Sequence, residues 1–454
     1  MKPLSAQQIA SIIGASLVDG DGDALILGGV CTDTRQLRAG SLFVALSGEN
    51  FNGNDFARHA LEQGAAAVVV SAWQSGPPVP GAVLLVDNPL DALQQLASWW
   101  RAQLSLHVIG LTGSNGKTST KDMTAAVLSQ TFSTLATKGN LNNHIGLPLT
   151  VLSTRDDHQA AVYEMGMNHP GEIAPLAAIA RPQIAIITNI GSSHIEFLGS
   201  RENIAREKAS IASGLGEDEL LILPYDCDFL PLIRSVTKAR VMTTGGPRDA
   251  VKATDIREHQ GCMKFTLEIG EDQADVTLPV AGRHMVSNAL LAAAAGHVCG
   301  MDCALIARGL AQASLNSGRL RRFVSRGITV FDDTYNANPE SMIAGLHTLA
   351  AQEVSDGGRR FAVLGRMGEL GDHAAEGGQR VGICAAALPV TTITVGDEAD
   401  LISRHAGSDA RHFVDREAAA IWLSQELRTG DVVLFKGSRT AAMERVMKQL
   451  FPDD

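Results

Sequence analysis

The stretch that most constrains this chain is His107–Thr120, HVIGLTGSNGKTST. An apolar run, His107 to Thr112, reads as a buried strand. It breaks at Gly113-Ser114-Asn115-Gly116 and resumes at Lys117-Thr118 as a helix, with Met123, Val127 and Leu128 on one stripe. Strand, glycine turn, Lys-Thr and helix together make a phosphate cradle. Glycines let backbone N–H groups close around phosphate oxygens, and the helix N-terminus adds partial positive charge. Lys117 can reach the β- and γ-phosphates, and the Thr118 hydroxyl can bind Mg²⁺. The strict Walker pattern wants a glycine where Leu111 stands, so the motif is the shorter Gly113-x-x-Gly116-Lys117-Thr118. A cradle of this kind needs a parallel sheet around it, which makes the chain an α/β protein.

A length of 454 residues suggests about three domains at roughly 150 residues each. Aromatics are only 4% while Gly is abundant, which suits close helix-on-sheet packing better than a β-sandwich. The net charge of −11 comes without a basic stripe, which argues against a nucleic-acid partner. The six cysteines are scattered, with no metal-binding spacing, and read as reduced thiols of a cytoplasmic protein. The first residues read as a short helix rather than a signal peptide, and no apolar run is long enough for a membrane span.

Three units are expected. Residues 1–85 carry the strands Leu42–Leu46, Ala67–Val70 and Val83–Val86 and a helix Phe56–Gln63, a small N-terminal α/β domain. Residues 86–315 hold the phosphate loop in a mostly parallel sheet of P-loop ATPase type. Further strands are expected at Ala160–Tyr163, Ile184–Thr188 and Glu219–Leu223, with an antiparallel pair at Met263–Ile269 and Asp275–Val280. Residues 316–454 alternate strands at Ile328–Phe331, Arg360–Leu364, Thr391–Val395 and Val432–Phe435 with helices starting near Pro339, Ala374, Asp415 and Thr440. That is a Rossmann-like C-terminal domain.

Open α/β sheets place ligands at strand C-terminal ends. Glu164 ends a strand and reads either as a Mg²⁺ ligand beside Thr118 or as a surface carboxylate. Asn189 to His194 is a glycine-bearing loop whose His194 suits metal or phosphate, or is simply solvated. Lys208 looks like an ordinary helix lysine. In the third unit, Asp332-Asp333-Thr334-Tyr335-Asn336-Ala337-Asn338-Pro339 follows a strand and opens a helix. Its polar groups can hold a ribose or a metal, and Asn338 can also cap the helix. Lys436-Gly437-Ser438-Arg439 reads either as a receptor for carboxylate or phosphate, or as a solvated basic turn.

Taken together these stretches resemble the Mur ligases, over nearly the whole chain. The phosphate loop Thr112 to Ser119 is similar to the short version of that family. Other matching stretches are Thr32–Arg35 with Gly40–Leu46, Gly139–Asn143, Gly282–His284 with Asn288, Asp332–Pro339, and Lys436–Met443. The match is strongest to members that join D-alanyl-D-alanine to UDP-N-acetylmuramoyl-tripeptide. Arg366 stands where the family usually has Asp.

The resemblance implies ATP-dependent peptide ligation in cytoplasmic peptidoglycan synthesis, by a monomer. Gly113 to Ser119 (Gly113, Ser114, Asn115, Gly116, Lys117, Thr118, Ser119), Asn288, Arg319 and Asp333 would bind ATP. Thr118, Glu164, His194 and Lys208 would serve two Mg²⁺ ions, Lys208 as a carbamate, with Lys117, His194 and Lys208 catalytic. Thr34 and Arg35 would meet the UDP end. Asn142, Asn143, Asn336, Asn338, Lys436, Ser438 and Arg439 would meet the peptide substrates. Two alternatives remain: another Mur-type or folylpolyglutamate-type ligase, or a P-loop nucleotide switch that does not ligate.

Overall fold

A computed structural model describes residues 1–314, 318–355 and 357–452; the expected boundary at 315/316 lies outside the described residues. The chain builds three main sheets of five or six strands, with smaller ones beside them. The central one has six strands, all parallel, in the spatial order Thr134–Ala136, Ala160–Glu164, His107–Thr112, Ile184–Ile187, Leu220–Pro224, Arg240–Thr244. The phosphate-loop strand is interior, hydrogen-bonded on both sides. Its neighbours Val162 and Ile184 flank Ile109 in register. Both faces are covered by helices, which is why these strands read as near-continuous apolar runs. The sheet also changes direction here. The chain runs from the His107 strand out to the far edge, returns beside it, then crosses to the other side, and ligands gather at such a point.

The N-terminal sheet has the order Ser16–Asp19, Ala82–Leu85, Ala67–Val70, Leu42–Val44, Val30–Cys31, parallel except at its first pair. The first helix, Ala6–Ile13, starts at a capping box between Ser5 and Gln8 and stops at left-handed Gly14. A helix Pro89–Gln103 follows this sheet, opened by the Asn88 cap and Pro89. It is the pin between the first two units. Trp100 is 1% exposed, and its indole N–H donates to the Thr154 carbonyl at 2.7 Å. Arg101, also buried, donates to the carbonyls of Ala180, Leu104 and Arg181.

The C-terminal sheet has the order Arg321–Ser325, Ile328–Asp333, Val432–Lys436, Arg360–Gly365, Thr391–Val395, Arg411–Phe413, with only the first pair antiparallel. Two edge strands, Arg321–Ser325 and Arg411–Phe413, escaped the sequence reading because both are short and charged, as edges often are. The expected helix near Thr440 is instead a 3₁₀ turn Arg439–Ala441 followed by a helix Glu444–Leu450, because Ala442 between them is left-handed. The antiparallel pair is a three-stranded sheet, Val251–His259, Cys262–Ile269 and Asp272–Leu278. Its missed strand carries a bulge after Thr254 that breaks the alternation. No disulfide forms among the six cysteines, and among the described residues no helix is long and apolar enough to cross a membrane.

Removing the Trp100 ring leaves a cavity under the helix Pro89–Gln103 and takes one of two donors from the Thr154 carbonyl, the Met1 ammonium being the other. Trp100→Ala should cost about 3–5 kcal/mol, read as a lower thermal midpoint and a lower denaturant midpoint.

Candidate active site

The phosphate loop folds as it does because two of its glycines have no room for a side chain. At Gly113 an added Cβ would lie 1.8 Å from Thr188 Oγ1, and at Gly116 (φ +76°) it would lie 2.7 Å from Asn288 Oδ1. The loop is sewn to the one after the neighbouring strand. Ser114 N–H donates to the Asn189 carbonyl, Asn115 N–H to Asn189 Oδ1, and Gly191 N–H to Ser114 Oγ at 2.8 Å. Ser193 Oγ donates to the Ser114 carbonyl. Lys117 opens the helix Lys117–Leu128, and its Nζ rests on the Gly113 carbonyl at 2.8 Å. Burial pushes its ammonium below the usual lysine value, and the Glu164 charge works against that shift.

Glu164, only 2% exposed, ends its strand beside the loop. Oε2 accepts from the Thr118 hydroxyl at 2.9 Å and Oε1 from Asn142 Nδ2 at 2.8 Å. The surface alternative for Glu164 is therefore excluded. Asn143 spends its Oδ1 on the backbone N–H groups of Ile145 and Gly146, shaping the start of the helix Gly146–Ser153. His194, left-handed at φ 62°, places Nδ1 2.5 Å from Glu369 Oε2 in the C-terminal unit. The imidazole at that distance holds the Glu369 carboxyl below its ordinary range.

Lys208 is the surprise of the helix Arg201–Ala209. It is 1% exposed and has no hydrogen bond to Nζ among the described residues. Burial drives its pKa well below the lysine value, and the nearby Lys117 charge pushes the same way. The sequence reads it as a plain helix lysine. Its burial, with Ile204 and Ala205 on one face, is the signal that was missed.

The C-terminal unit closes the site from above. Register sets Asp333 opposite Lys436, and Lys436 Nζ donates to Asp333 Oδ2 at 2.6 Å and to the Asn336 carbonyl. The solvated-turn alternative thus fails for Lys436, which is 2% exposed. Asn338 caps the helix as expected and also links the two units. Its Oδ1 accepts from Ser341 N–H at the helix start, while its Nδ2 donates to Asn115 Oδ1 at 2.8 Å and to Ser193 Oγ. Arg319 lies over the Tyr335 ring, 4.2 Å from its centre.

These groups line one cleft of about 870 Å³. Ser114, Asn115, Gly116, Lys117, Ser119, Asn142, Asn143, Glu164, His194, Asn288, Arg319, Asp333, Asn336, Asn338 and Lys436 all reach it. Gly113, Thr118 and Lys208 lie outside the lining. Thr34 and Arg35 also stand apart, in a 3₁₀ turn capped by Asp33. Arg35 there forms a two-pronged pair with Asp33 and holds that carboxyl down to about 2. Ser438 and Arg439 are likewise outside the lining, with Ser438 buried against Thr440 and Arg439 exposed beside Glu444. Several lining residues were not predicted, Glu369 among them. His284 enters from the start of the helix Arg283–Val298, and Glu340 from the first turn of Pro339–Ala350.

A phosphate loop on a parallel sheet, an oxygen-donor pair at its foot and a third unit over its mouth define an ATP-dependent enzyme class built to shield a reactive product. Family models agree. The chain matches the Mur ligase family catalytic domain over residues 27–101, the Mur ligase middle domain over 111–296, and the Mur ligase glutamate ligase domain over 318–439. It is 38% identical to the UDP-N-acetylmuramoyl-tripeptide–D-alanyl-D-alanine ligase of Escherichia coli, covering 99% of each chain. The structure is similar to MurF from Acinetobacter baumannii, with TM-score 0.93, 34% identity and full coverage of both chains. It is also similar to MurF ligase from Thermotoga maritima in complex with ADP, with TM-score 0.84, 29% identity and coverage of 94% and 97%. The chain belongs to the Mur ligase family.

Burial pushes the His284 imidazole down to about 4, with Asp333 opposing and Lys436 assisting. A lowered folded-state pKa means the unfolded chain binds the extra proton first as pH falls. The contribution is present above about pH 6.5 and is lost progressively toward pH 4. His284→Gln should lose less stability than the parent between pH 7.5 and pH 5, by ~1–2 kcal/mol in denaturant titrations.

Proposed function

We propose that this chain is an ATP-dependent ligase that joins D-alanyl-D-alanine to UDP-N-acetylmuramoyl-tripeptide, releasing ADP and phosphate. The observation that carries the reading is the single cleft in which the phosphate loop, Glu164 and the Asp333–Lys436 pair face one another. The cleft is completed within one chain, which suits a monomer.

A carboxylate is a poor electrophile. The tripeptide carboxylate oxygen attacks the γ-phosphorus of ATP, ADP leaves, and an acyl phosphate forms. The dipeptide amine then attacks the acyl carbon, phosphate departs with the bonding pair, and the proton shed by the nitrogen leaves on the phosphate. Lys117 would leave the Gly113 carbonyl to meet the β- and γ-oxygens and offset their growing charge. Gly113 to Ser119 would wrap the phosphates, Asn288 and Arg319 would contact ATP, and Asp333, steadied by Lys436, would take the ribose.

The donor set fits Mg²⁺. Thr118 and Glu164 present oxygens 2.9 Å apart at the foot of the loop. Among the described residues no three His, Cys, Asp or Glu side chains cluster, so phosphate oxygens and water would complete each shell. Bound there, Mg²⁺ would neutralise phosphate charge. His194 would serve a second ion through its Nε2, since Nδ1 faces Glu369. Lys208 fits a carbamate. An amine whose charged form is disfavoured by burial can attack CO₂, lose a proton and become an anion beside Lys117. A repulsive pair of cations would become an attractive one.

Thr34 and Arg35 would meet the UDP end from the N-terminal unit. Asn142 and Asn143 would line the path of the tripeptide. Asn336, Asn338, Ser438 and Arg439 would receive the dipeptide, with the exposed Arg439 guanidinium suited to its carboxylate.

Phosphate release from ATP should require both acceptors together. Lys117→Ala should lower it by at least about 100-fold with an unchanged circular dichroism spectrum. ATP hydrolysis indifferent to both acceptors would point instead to a nucleotide switch. Lys208→Ala should be nearly inactive and partly rescued by short-chain carboxylic acids; an unassisted, fully active variant would remove the carbamate role.

A further inference from the structure

Glu340 belongs to the C-terminal unit, one residue past the Pro339 that opens its helix. Its carboxylate nonetheless binds the central unit. Oε2 accepts from the Ser192 backbone N–H at 3.1 Å and from the Ser192 hydroxyl at 2.8 Å. Oε1 accepts from Arg380 at 3.2 Å, on the adjacent helix Ala374–Ala386. One carboxylate thus ties two helices of one unit to a loop of the other. Ser192 is 5% exposed, and its chain neighbours on both sides are fixed to Ser114 of the phosphate loop.

The packing there has little slack. A methyl group on Gly191 would meet Glu340 Oε2 at 3.1 Å, Ser114 Cβ at 3.3 Å and Asn115 Nδ2 at 3.4 Å. A carboxylate this near a triphosphate cradle opposes the charge of the nucleotide, so a nucleotide contact does not explain it. Its charge-assisted hydrogen bonds to Ser192 do.

We propose that Glu340 is a positioning residue for phosphoryl transfer. It transmits the seating of the C-terminal unit to the phosphate loop through Ser192, with Arg380 steadying it. The loop then holds its working shape only when the unit that carries Asp333 and Lys436 is in place. This rests on the ligase reading above.

The test is a double-mutant cycle on the full-length enzyme, with Glu340→Ala, Ser192→Ala and the pair. Each single variant should lower kcat of ligation about 10- to 100-fold while KM for ATP moves less than about threefold, and the pair should be no slower than the slower single. Losses that multiply in the pair, or a Glu340→Ala enzyme with unaltered kcat, overturn the proposal. Should Glu340→Ala not fold, Glu340→Asp replaces it in the cycle, keeping the charge but drawing back from Ser192. The two possible failures look different. A parent enzyme that makes no ligated product sinks the ligase reading and this proposal with it. Variants that match a ligating parent sink the positioning role alone.

Discussion

The carboxylate of Glu164 is the interaction on which the rest of the site depends. A buried charge is costly unless hydrogen bonds replace its water. Here two side chains do so, Thr118 from the phosphate-loop helix and Asn142 from the loop before Gly146–Ser153. The Thr137 hydroxyl accepts from the Glu164 backbone N–H, so the peptide is held as well. Glu164 can occupy this place only because its strand lies parallel to the phosphate-loop strand, with Leu111 and Glu164 in register. Sheet register therefore decides where the charge sits. The charge in turn fixes the Thr118 hydroxyl and offsets the burial of Lys117.

The C-terminal unit obeys the same logic from the other side of the cleft. The parallel pairing of Ile328–Asp333 with Val432–Lys436 sets Asp333 and Lys436 side by side at two strand ends. Neither sheet alone makes an active site, because each offers charges aimed at an open edge. Three of the polar links between them meet at the cleft: Asn338 to Asn115 and Ser193, Glu340 to Ser192, and Glu369 to His194. All three land on the phosphate loop or on the loop stitched to it. This part of the joint therefore belongs to the site, while Gln352 meets Glu258 of the three-stranded sheet outside it.

Sequence made the local parts legible and left the long-range ones dark. The strand, glycine turn and Lys-Thr at 107–118 carry a periodicity and a turn chemistry visible in a single window. So do the Asn338 cap and the alternation of the third unit. Lys208 was opaque because burial is a tertiary fact: the helix face it shares with Ile204 and Ala205 becomes interior only when packed. The partnership of Lys436 with Asp333 spans 103 residues and depends on register, which no motif encodes. Glu340 and His284 escaped for the same reason, since each acts on a residue of another unit. The missed strand Val251–His259 is a local failure, caused by its bulge after Thr254. Arg366, where the family usually has Asp, is paired with Glu398, so its charge is met within the C-terminal unit.

The division into units follows from the chemistry the cleft has to protect. An acyl phosphate is hydrolysed readily by water, so it must form in a closed space and be met there by an amine. A single rigid sheet with a deep pocket would exclude water but would also trap the large ligated product. Separate sheets that meet through polar links at the cleft resolve the conflict, because such links can be made and broken at the mouth of the site. The links seen here are of that kind: amide to amide, hydroxyl to carboxylate, imidazole to carboxylate. Each is worth about 1 kcal/mol or slightly more in net terms. That is enough together to favour closure when the substrates add their own contacts, and too little to hold the cleft shut once the product is made.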